Sequence, residues 1–202
     1  KLEPSQKLPL KMVYKKAVEQ LELMTSEQKF ELNFESEIKP VYQEYISLLL
    51  SQNSGSSPLI LEEAIRQIDG LQLAELENFL GCDLNPQLQI NQNLDQIDPK
   101  AALFYPIILP NRLEVIFKLP GQPLNSYRTS VSQKTVESTI KSLRVGLLRR
   151  DASRVINGGS KLYQWLLKPI EKQLQEQVQT LVFVLDGDLR NIPLAALYDQ
   201  EQ

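Results

Sequence analysis

The residues whose types and spacing favour chemistry lie close to the end of the chain. Residues 180–185 form a continuous apolar, β-branched run, which predicts a strand buried on both faces, as in a parallel sheet covered by helices. An acidic loop with Asp186, Asp188 and Arg190 follows this run directly. In open α/β sheets, sites form beyond the carboxyl ends of strands, so this loop is where we expect one.

Two interpretations of this loop stay open. In the first, Asp186 and Asp188 orient a donor group and the loop belongs to a binding site. In the second, the loop is a structural turn in which an acidic side chain pairs with Arg190. Both need Gly187, which permits a tight or left-handed turn.

The composition excludes several kinds of reaction within these 202 residues. There is no histidine and only one cysteine, Cys82. This excludes Ser–His and Cys–His catalysis, His-ligated metals, thiolate metal clusters and an internal disulfide. We expect no metal and no cofactor in this chain. Cys82 follows a predicted helix, and we interpret it as a small buried apolar residue.

A basic stretch interrupts an otherwise acidic chain of pI about 5.2. Residues 51–100 carry two basic and eight acidic residues, whereas residues 101–150 carry eight basic and two acidic ones. Such a stretch could contact phosphates, but it has no interleaved aromatic residues, so a solvated helix face is favoured over nucleic-acid binding. The basic residues are Lys141, Arg144, Arg149, Arg150 and Arg154.

The elements before residue 84 are predicted to be helices. Apolar residues recur at helical spacing from Leu10 to Met24, and Thr25 with Gln28 fits a capping box that opens a second helix. Pro40 predicts a kink or break in that helix. A third helix is predicted to begin at Pro58 and end at Gly70, and a fourth to cover 72–80. Residues 1–83 are thus predicted to form a helical domain of two hairpins, similar to a tetratricopeptide-like end cap.

In the second half of the chain, the spacing of the apolar residues changes from a helical pattern to one that includes strands. Residues 84–100 are predicted to be a linker, and 101–202 an α/β region. Pro106 places its strand at an edge or bulge. A strand is also predicted over 124–130, a loop over 157–159 and a kink at Pro169. The predicted hairpin strands are 103–109 and 113–119, and the predicted helices begin at Ser132 and near Leu162.

No apolar run reaches the ~18 residues of a membrane span, and the N-terminus has no signal core. We therefore expect a cytoplasmic protein with no membrane partner. The chain begins at Lys1 rather than Met, and it stops nine residues after Pro193. We expect it to be part of a longer protein.

The sequence resembles a known family at these residues. Residues 181–199, LVFVLDGDLRNIPLAALYD, resemble the opening of the CHAT domain, whose fold is caspase-like and which is commonly fused to tetratricopeptide repeats in cyanobacterial proteins. The hairpin AALFYPIILPNRLEVIFKLPG resembles the early strands of that domain. The segments KPVYQEYISLLL and LQLAELENFLGCDL resemble the helices that precede it. The fold class implied is α/β, with a tetratricopeptide-like helical segment followed by the first part of a caspase-like sandwich.

The resemblance implies a cysteine peptidase, but the catalytic positions are not in this chain. The family takes its His and Cys from two later strand ends, whereas this chain has no His and its only Cys lies in the helical region. By the same resemblance, Arg190 points toward a primary substrate pocket, with Asp186 and Asp188 nearby. The expected function is the N-terminal part of a caspase-like cysteine peptidase, non-catalytic by itself.

The alternative is a scaffold module that binds a protein or peptide through an inert caspase-like fold. The expected partners are a protein or peptide, helical repeats upstream and a catalytic segment downstream. A central strand whose outer neighbour lies in another segment leaves an open edge, which predicts homodimerisation or domain swapping.

Overall fold

The computed structural model describes residues 4–24, 28–29, 31–51, 57–84 and 97–199. The chain divides into two compact units, residues 1–89 and residues 90–202. In the described residues the first unit is helical, and the second combines a four-stranded mixed sheet with helices, so the α/β class is confirmed. Most of the predicted linker, 85–96, lies outside the described residues.

The helical unit is built from α1 (Pro4–Leu23), a π-helical turn (Phe34–Ile38), α2 (Lys39–Leu49) and α3 (Pro58–Leu80). Helix α2 contacts both α1 and α3, and its tyrosines and aliphatic side chains are buried. The break predicted at Pro40 is a change from π to α geometry: Pro40 lies in the first turn of α2, where its missing N–H is not needed. Thr25 of the predicted capping box lies outside the described residues.

The prediction that Gly70 ends a helix is wrong. Residues 58–80 form one continuous helix, which ends at Gly81 in a left-handed conformation, as predicted for Gly81. A Cβ atom on Gly70 would lie 3.3 Å from the Tyr42 ring. Glycine at this position therefore permits a close approach of α2 to α3, and it does not act as a helix stop.

The sheet of the second unit has the strand order β3–β2–β1–β4. Its strands are β1 (Ala101–Leu109), β2 (Arg112–Lys118), β3 (Asn125–Thr129) and β4 (Thr180–Phe183). Strands β1 and β2 form the predicted antiparallel hairpin, and β3 pairs antiparallel with β2. Strand β4 pairs parallel with β1, after a crossover through helices.

The strand predicted to be buried on both faces is only partly covered. In β4, Thr180 and Leu181 are exposed and the next two residues are half-buried, because among the described strands only β1 lies beside β4. Strand β1 is the buried one: its neighbours Leu103 and Phe104 point to opposite faces, and both are 0% exposed.

Pro106 lies in this buried strand, so the prediction of an edge strand is wrong. Its missing N–H nevertheless faces a side where no strand pairs with it. The Val184 N–H donates to the Phe104 carbonyl, so the polar backbone groups of Phe104 face β4. Those of Pro106, two residues later, face the same side. The β4 pairing register stops at Phe104, so the missing N–H of Pro106 costs no ladder bond with β4.

One face of the sheet is covered by two helices, α4 (Gln133–Arg149) and α5 (Ala152–Leu166). Ser132 caps α4 as predicted, accepting from the Thr135 N–H. The loop predicted at 157–159 is wrong, because these residues lie inside α5. A Cβ atom on Gly158 would lie 2.9 Å from Leu143 Cβ, so glycine is required for α4 and α5 to pack closely.

The chain returns to the sheet through a 3₁₀ turn (Lys168–Ile170) and the short helix α6 (Glu171–Gln177). The kink predicted at Pro169 is this 3₁₀ turn. Trp165, near the end of α5, packs against the core that the helices share with the sheet.

A buried ion cluster joins β2 to β3. Glu114 is 3% exposed and lies opposite Arg128 in the strand register. Its carboxylate accepts from Arg112 at 2.9 Å and lies 3.4 Å from Arg128. A buried carboxylate needs such partners, because an unpaired one would carry a large desolvation cost.

Candidate functional site

The candidate site is the turn that follows β4. It is a 3₁₀ turn over Gly187–Asn191, entered through Asp186 in an extended conformation. Gly187 has φ +52°, so it adopts the left-handed conformation that glycine permits. Because β4 runs parallel to β1, the turn lies beyond the carboxyl end of the strand, where sites form in such sheets.

Two buried side chains hold this turn on the core. Leu189 is 0% exposed and Ile192 is 6% exposed, and both pack in the cluster that includes α4 and α5. Arg190 lies between them, and Asp188 directly precedes Leu189, so both charged residues are placed by this anchoring. This anchoring is what a site on a short turn requires, since the turn has few backbone hydrogen bonds of its own.

Arg190 turns back toward the end of the strand. Its Nε donates to the Leu185 carbonyl at 3.2 Å, and its Nη2 donates to Asp186 Oδ1 at 3.3 Å. The Arg190 side chain is 43% exposed and that of Asp186 is 32% exposed, so the pair lies at the surface. Asp188 is exposed on the same turn, and no ion pair joins it to another residue of the described part of the chain. The structure thus brings Asp186 and Arg190 together and leaves Asp188 in solvent.

The residues after the turn lie against α5. A Cβ atom on Gly159 would lie 2.1 Å from the Ala196 carbonyl oxygen, so this approach requires glycine. Further along, Lys168 Nζ lies 3.1 Å from Glu171 and 3.6 Å from Asp199. Desolvation, together with the Glu171 carboxylate, raises the pKa of the neighbouring Tyr163 to about 12, which keeps its hydroxyl protonated at neutral pH. These contacts fix the segment that continues the candidate turn.

Cys82 does not lie in a buried site. The prediction that it is buried is wrong: it is exposed, one residue beyond the left-handed Gly81 that ends α3. It belongs to the helical unit, whereas the candidate turn belongs to the second unit. Within the described residues, no three Cys, Asp or Glu side chains form a group that could hold a metal ion.

Two sets of ion pairs are absent from the sequence predictions: the cluster of Glu114 with Arg112 and Arg128, and the contacts of Lys168 with Glu171 and Asp199. A signal existed for the first, because Arg112 and Glu114 are two residues apart in a strand and so share a face. The contact between Lys168 and Asp199 had no such signal, since it depends on how the last residues pack against α5.

The basic residues of α4 and the start of α5 are all exposed, as expected for a solvated helix face. Arg154 pairs with Asp151, which caps α5, and the hydrogen bond that the Arg154 backbone N–H donates to Asp151 lowers the pKa of this carboxylate. Lys141, Arg144, Arg149 and Arg150 form no ion pair with other residues that the structure describes.

Comparison with known proteins adds one match. A family model of the CHAT domain matches residues 157–202, a segment that includes most of α5, β4 and the candidate turn. The match supports the presence of a CHAT domain and covers less than half of the chain. No curated protein and no solved structure matches the chain. Among the helices that the structure describes, none has the length and apolar character of a membrane span.

Proposed function

We propose that residues 101–199 supply the first strand and the substrate-side turn of a caspase-like cysteine peptidase domain of the CHAT family. The match of the CHAT model over residues 157–202 is the observation that carries this proposal. Residues 1–202 hold no histidine and Cys82 lies in the helical unit, so the proposal assigns the reactive Cys and His to residues outside this chain. The domain works in the reducing cytoplasm, where such a thiol stays active.

The proposed substrate-pocket residues are Asp186, Asp188 and Arg190. The fixed position of the turn on the core supports this role, because Leu189 and Ile192 anchor it on both sides of Arg190. Arg190 is held by Asp186 and remains partly exposed, so a substrate carboxylate can exchange with Asp186 on the guanidinium. Asp188 contributes a second charge at the rim.

The chemistry of the complete domain follows from thiol nucleophiles in general. The thiolate attacks the peptide carbonyl and forms a sulfur–carbon bond, and the imidazolium gives its proton to the departing amine as the carbon–nitrogen bond breaks. Water then hydrolyses the thioester and regenerates the thiol. The part of residues 1–202 in this scheme is to bind and orient the substrate.

A scaffold module that binds a protein partner is the second candidate. The observation that favours it is the contact of Arg190 with the Leu185 carbonyl and Asp186, which is what a turn stabilised by its own ion pair requires. In this alternative, the helical unit is a tetratricopeptide-like cap and binds the partner, while the sheet is an inert support.

A hydrolysis assay on the 202-residue chain is the first test. Peptide substrates should remain uncleaved, and the Cys82→Ser variant should behave identically. Hydrolysis that disappears in Cys82→Ser would overturn the proposal, since the nucleophile would then lie in the helical unit.

The second test extends the reading frame past codon 202. The proposal expects a His-Gly and a later Cys on predicted strand ends, and peptidase activity in the extended protein. Arg190→Ala should then raise KM at least tenfold, because a charge-assisted contact is lost. The exposed Lys172→Ala is the matched control and should leave KM unchanged. An extension without the His and Cys leaves the scaffold module as the function.

A further inference from the structure

A cationic surface with a leucine at its centre lies on α4. It consists of Lys141, Arg144, Leu148, Arg149 and Arg150, and we call it the cationic face. Residues 141, 144 and 148 are spaced three and four apart, so they follow one side of the helix. Leu148 is 82% exposed, and the four cations of the cationic face are exposed as well.

Acidic residues flank the cationic face, but none lies within it: Glu137 accepts a hydrogen bond from Gln133, and Asp151 pairs with Arg154. Residues 138–150 contain no Asp or Glu. None of the four cations forms an ion pair with another residue in the part of the chain that the structure describes. The whole chain carries a net charge of −3, so the positive charge belongs to this face and not to the molecule at large.

Helix stability explains only part of this arrangement. Cations in the last turn interact favourably with the helix dipole, which accounts for Arg149. Lys141 lies two turns earlier and gains little from the dipole. Arg150 occupies the left-handed position that ends the helix, with φ +56°, where glycine is the unstrained residue. Neither the dipole nor the turn geometry requires Leu148 to be apolar.

We propose that the cationic face binds the surface of an anionic lipid bilayer. Four cations close together are typical of proteins that contact acidic headgroups. Leu148 lies among them, where it would enter the boundary between headgroups and acyl chains. The expectation of no membrane partner was drawn from the length needed to cross a bilayer, and a surface contact does not need that length.

The shape and composition of the face favour a bilayer over nucleic acid. Residues 133–154 contain no aromatic side chain on which a base could stack. An exposed leucine gains nothing from a phosphate backbone, whereas a bilayer offers it an apolar environment. The exposed side of a helix is convex, and a bilayer can cover a convex ridge without a matching groove.

Sedimentation of the 202-residue chain with vesicles tests the proposal. One set of vesicles contains equal amounts of phosphatidylcholine and phosphatidylserine, and the other contains phosphatidylcholine alone. We expect binding to the first set only, weakening steeply with added salt. Lys141→Gln should lower the partition coefficient about fivefold, and Leu148→Ser about tenfold.

Two matched controls separate the cationic face from general effects. Leu59→Ser removes a leucine that is 76% exposed on α3, and Lys172→Gln removes an exposed charge on α6. Both should leave the partition coefficient within about twofold of the parent value. Circular dichroism verifies that all four variants fold.

Three results would overturn the proposal. They are absence of vesicle binding at low salt, binding that Leu148→Ser does not weaken, and binding to a DNA duplex that is tighter than vesicle binding and unaffected by Leu148→Ser. The proposal does not depend on peptidase activity, so failure of one leaves the other standing.

Discussion

Strands β1 and β4 have similar apolar sequences but different environments. The side chains of β1 are buried on both faces, whereas Leu181 in β4 is 41% exposed. The difference arises from their neighbours: β1 lies between β2 and β4, and β4 has only β1 beside it among the described strands. An apolar run therefore indicates a strand, but its place in the sheet decides how much of it is buried.

The largest expected loss of stability comes from truncating one of two stacked aromatic rings, one in each strand. Phe104 of β1 and Phe183 of β4 stack with their ring centroids 4.9 Å apart. Phe104→Ala should lower the free energy of unfolding by about 3–5 kcal/mol, because Phe104 is fully buried, and Phe183→Ala by about half of that. Urea unfolding followed by the fluorescence of the single Trp165 measures both. Equal losses would show that β4 is as well packed as β1.

A smaller effect is expected where the chain leaves β4 and lies against α5. Gly159→Ala places a methyl group against the Ala196 carbonyl, so residues 194–199 must move, at a cost of about 1–3 kcal/mol. Amide hydrogen exchange should become faster in β4 and in 194–199, and remain unchanged in β1. Asn157→Ala, at an exposed position of the same helix, is the control. Faster exchange in β1 would mean that the two strands open together.

Leu181→Ser should lower the free energy of unfolding by only about 1 kcal/mol, because the side chain is 41% exposed and loses only part of the burial of a core leucine. Leu103→Ser, at the position paired with Val182 in β1, should cost several times more. A large loss for Leu181→Ser, measured by the same urea titration, would show that Leu181 is covered in solution.

The smallest expected effect is a pH dependence of stability at the start of β4. Thr180 is the first residue of β4, and the hydrogen bond of its hydroxyl to Asp98 lowers the pKa of that carboxyl group. The hydrogen bond from the Lys100 backbone N–H lowers it further. Since the folded pKa is the lower one, this stabilisation is present above the unfolded value of about 3.9 and is lost as the pH falls through the folded value. As the pH falls through that range, the backbone amides at the start of β4 should lose their protection against hydrogen exchange before those of β1 do. Thr180→Val should weaken the pH dependence and leave only the part that Lys100 contributes.

The sequence predicted most elements of the second unit, because their signals are local. The hairpin of β1 and β2 follows from two apolar runs around a short turn, and the start of α4 follows from the Ser132 cap. The turn at Gly187 is predicted for the same reason. What failed depends on distant neighbours: the exposure of β4 could not be derived from its own residues.

The glycines show the same limit. The sequence predicts that Gly70, Gly158 and Gly159 end or interrupt helices, yet all three lie inside helices. Each lies where another part of the chain comes within 3.3 Å of the position of a Cβ atom. Such an approach leaves no trace in the local sequence, so a helix break and a helix contact look alike. The charged residues of the candidate turn were identified, but the pairing of Arg190 with Asp186 was one of two open interpretations.

Glu114 has a consequence for how the sheet assembles. Side chains alternate between the two faces of a strand, so a shift of β2 by one residue relative to its neighbours would turn this carboxylate toward α4 and α5 and separate it from Arg128. An unpaired carboxylate would then be buried in the apolar core between the sheet and the helices. The misaligned hairpin is thereby heavily penalised.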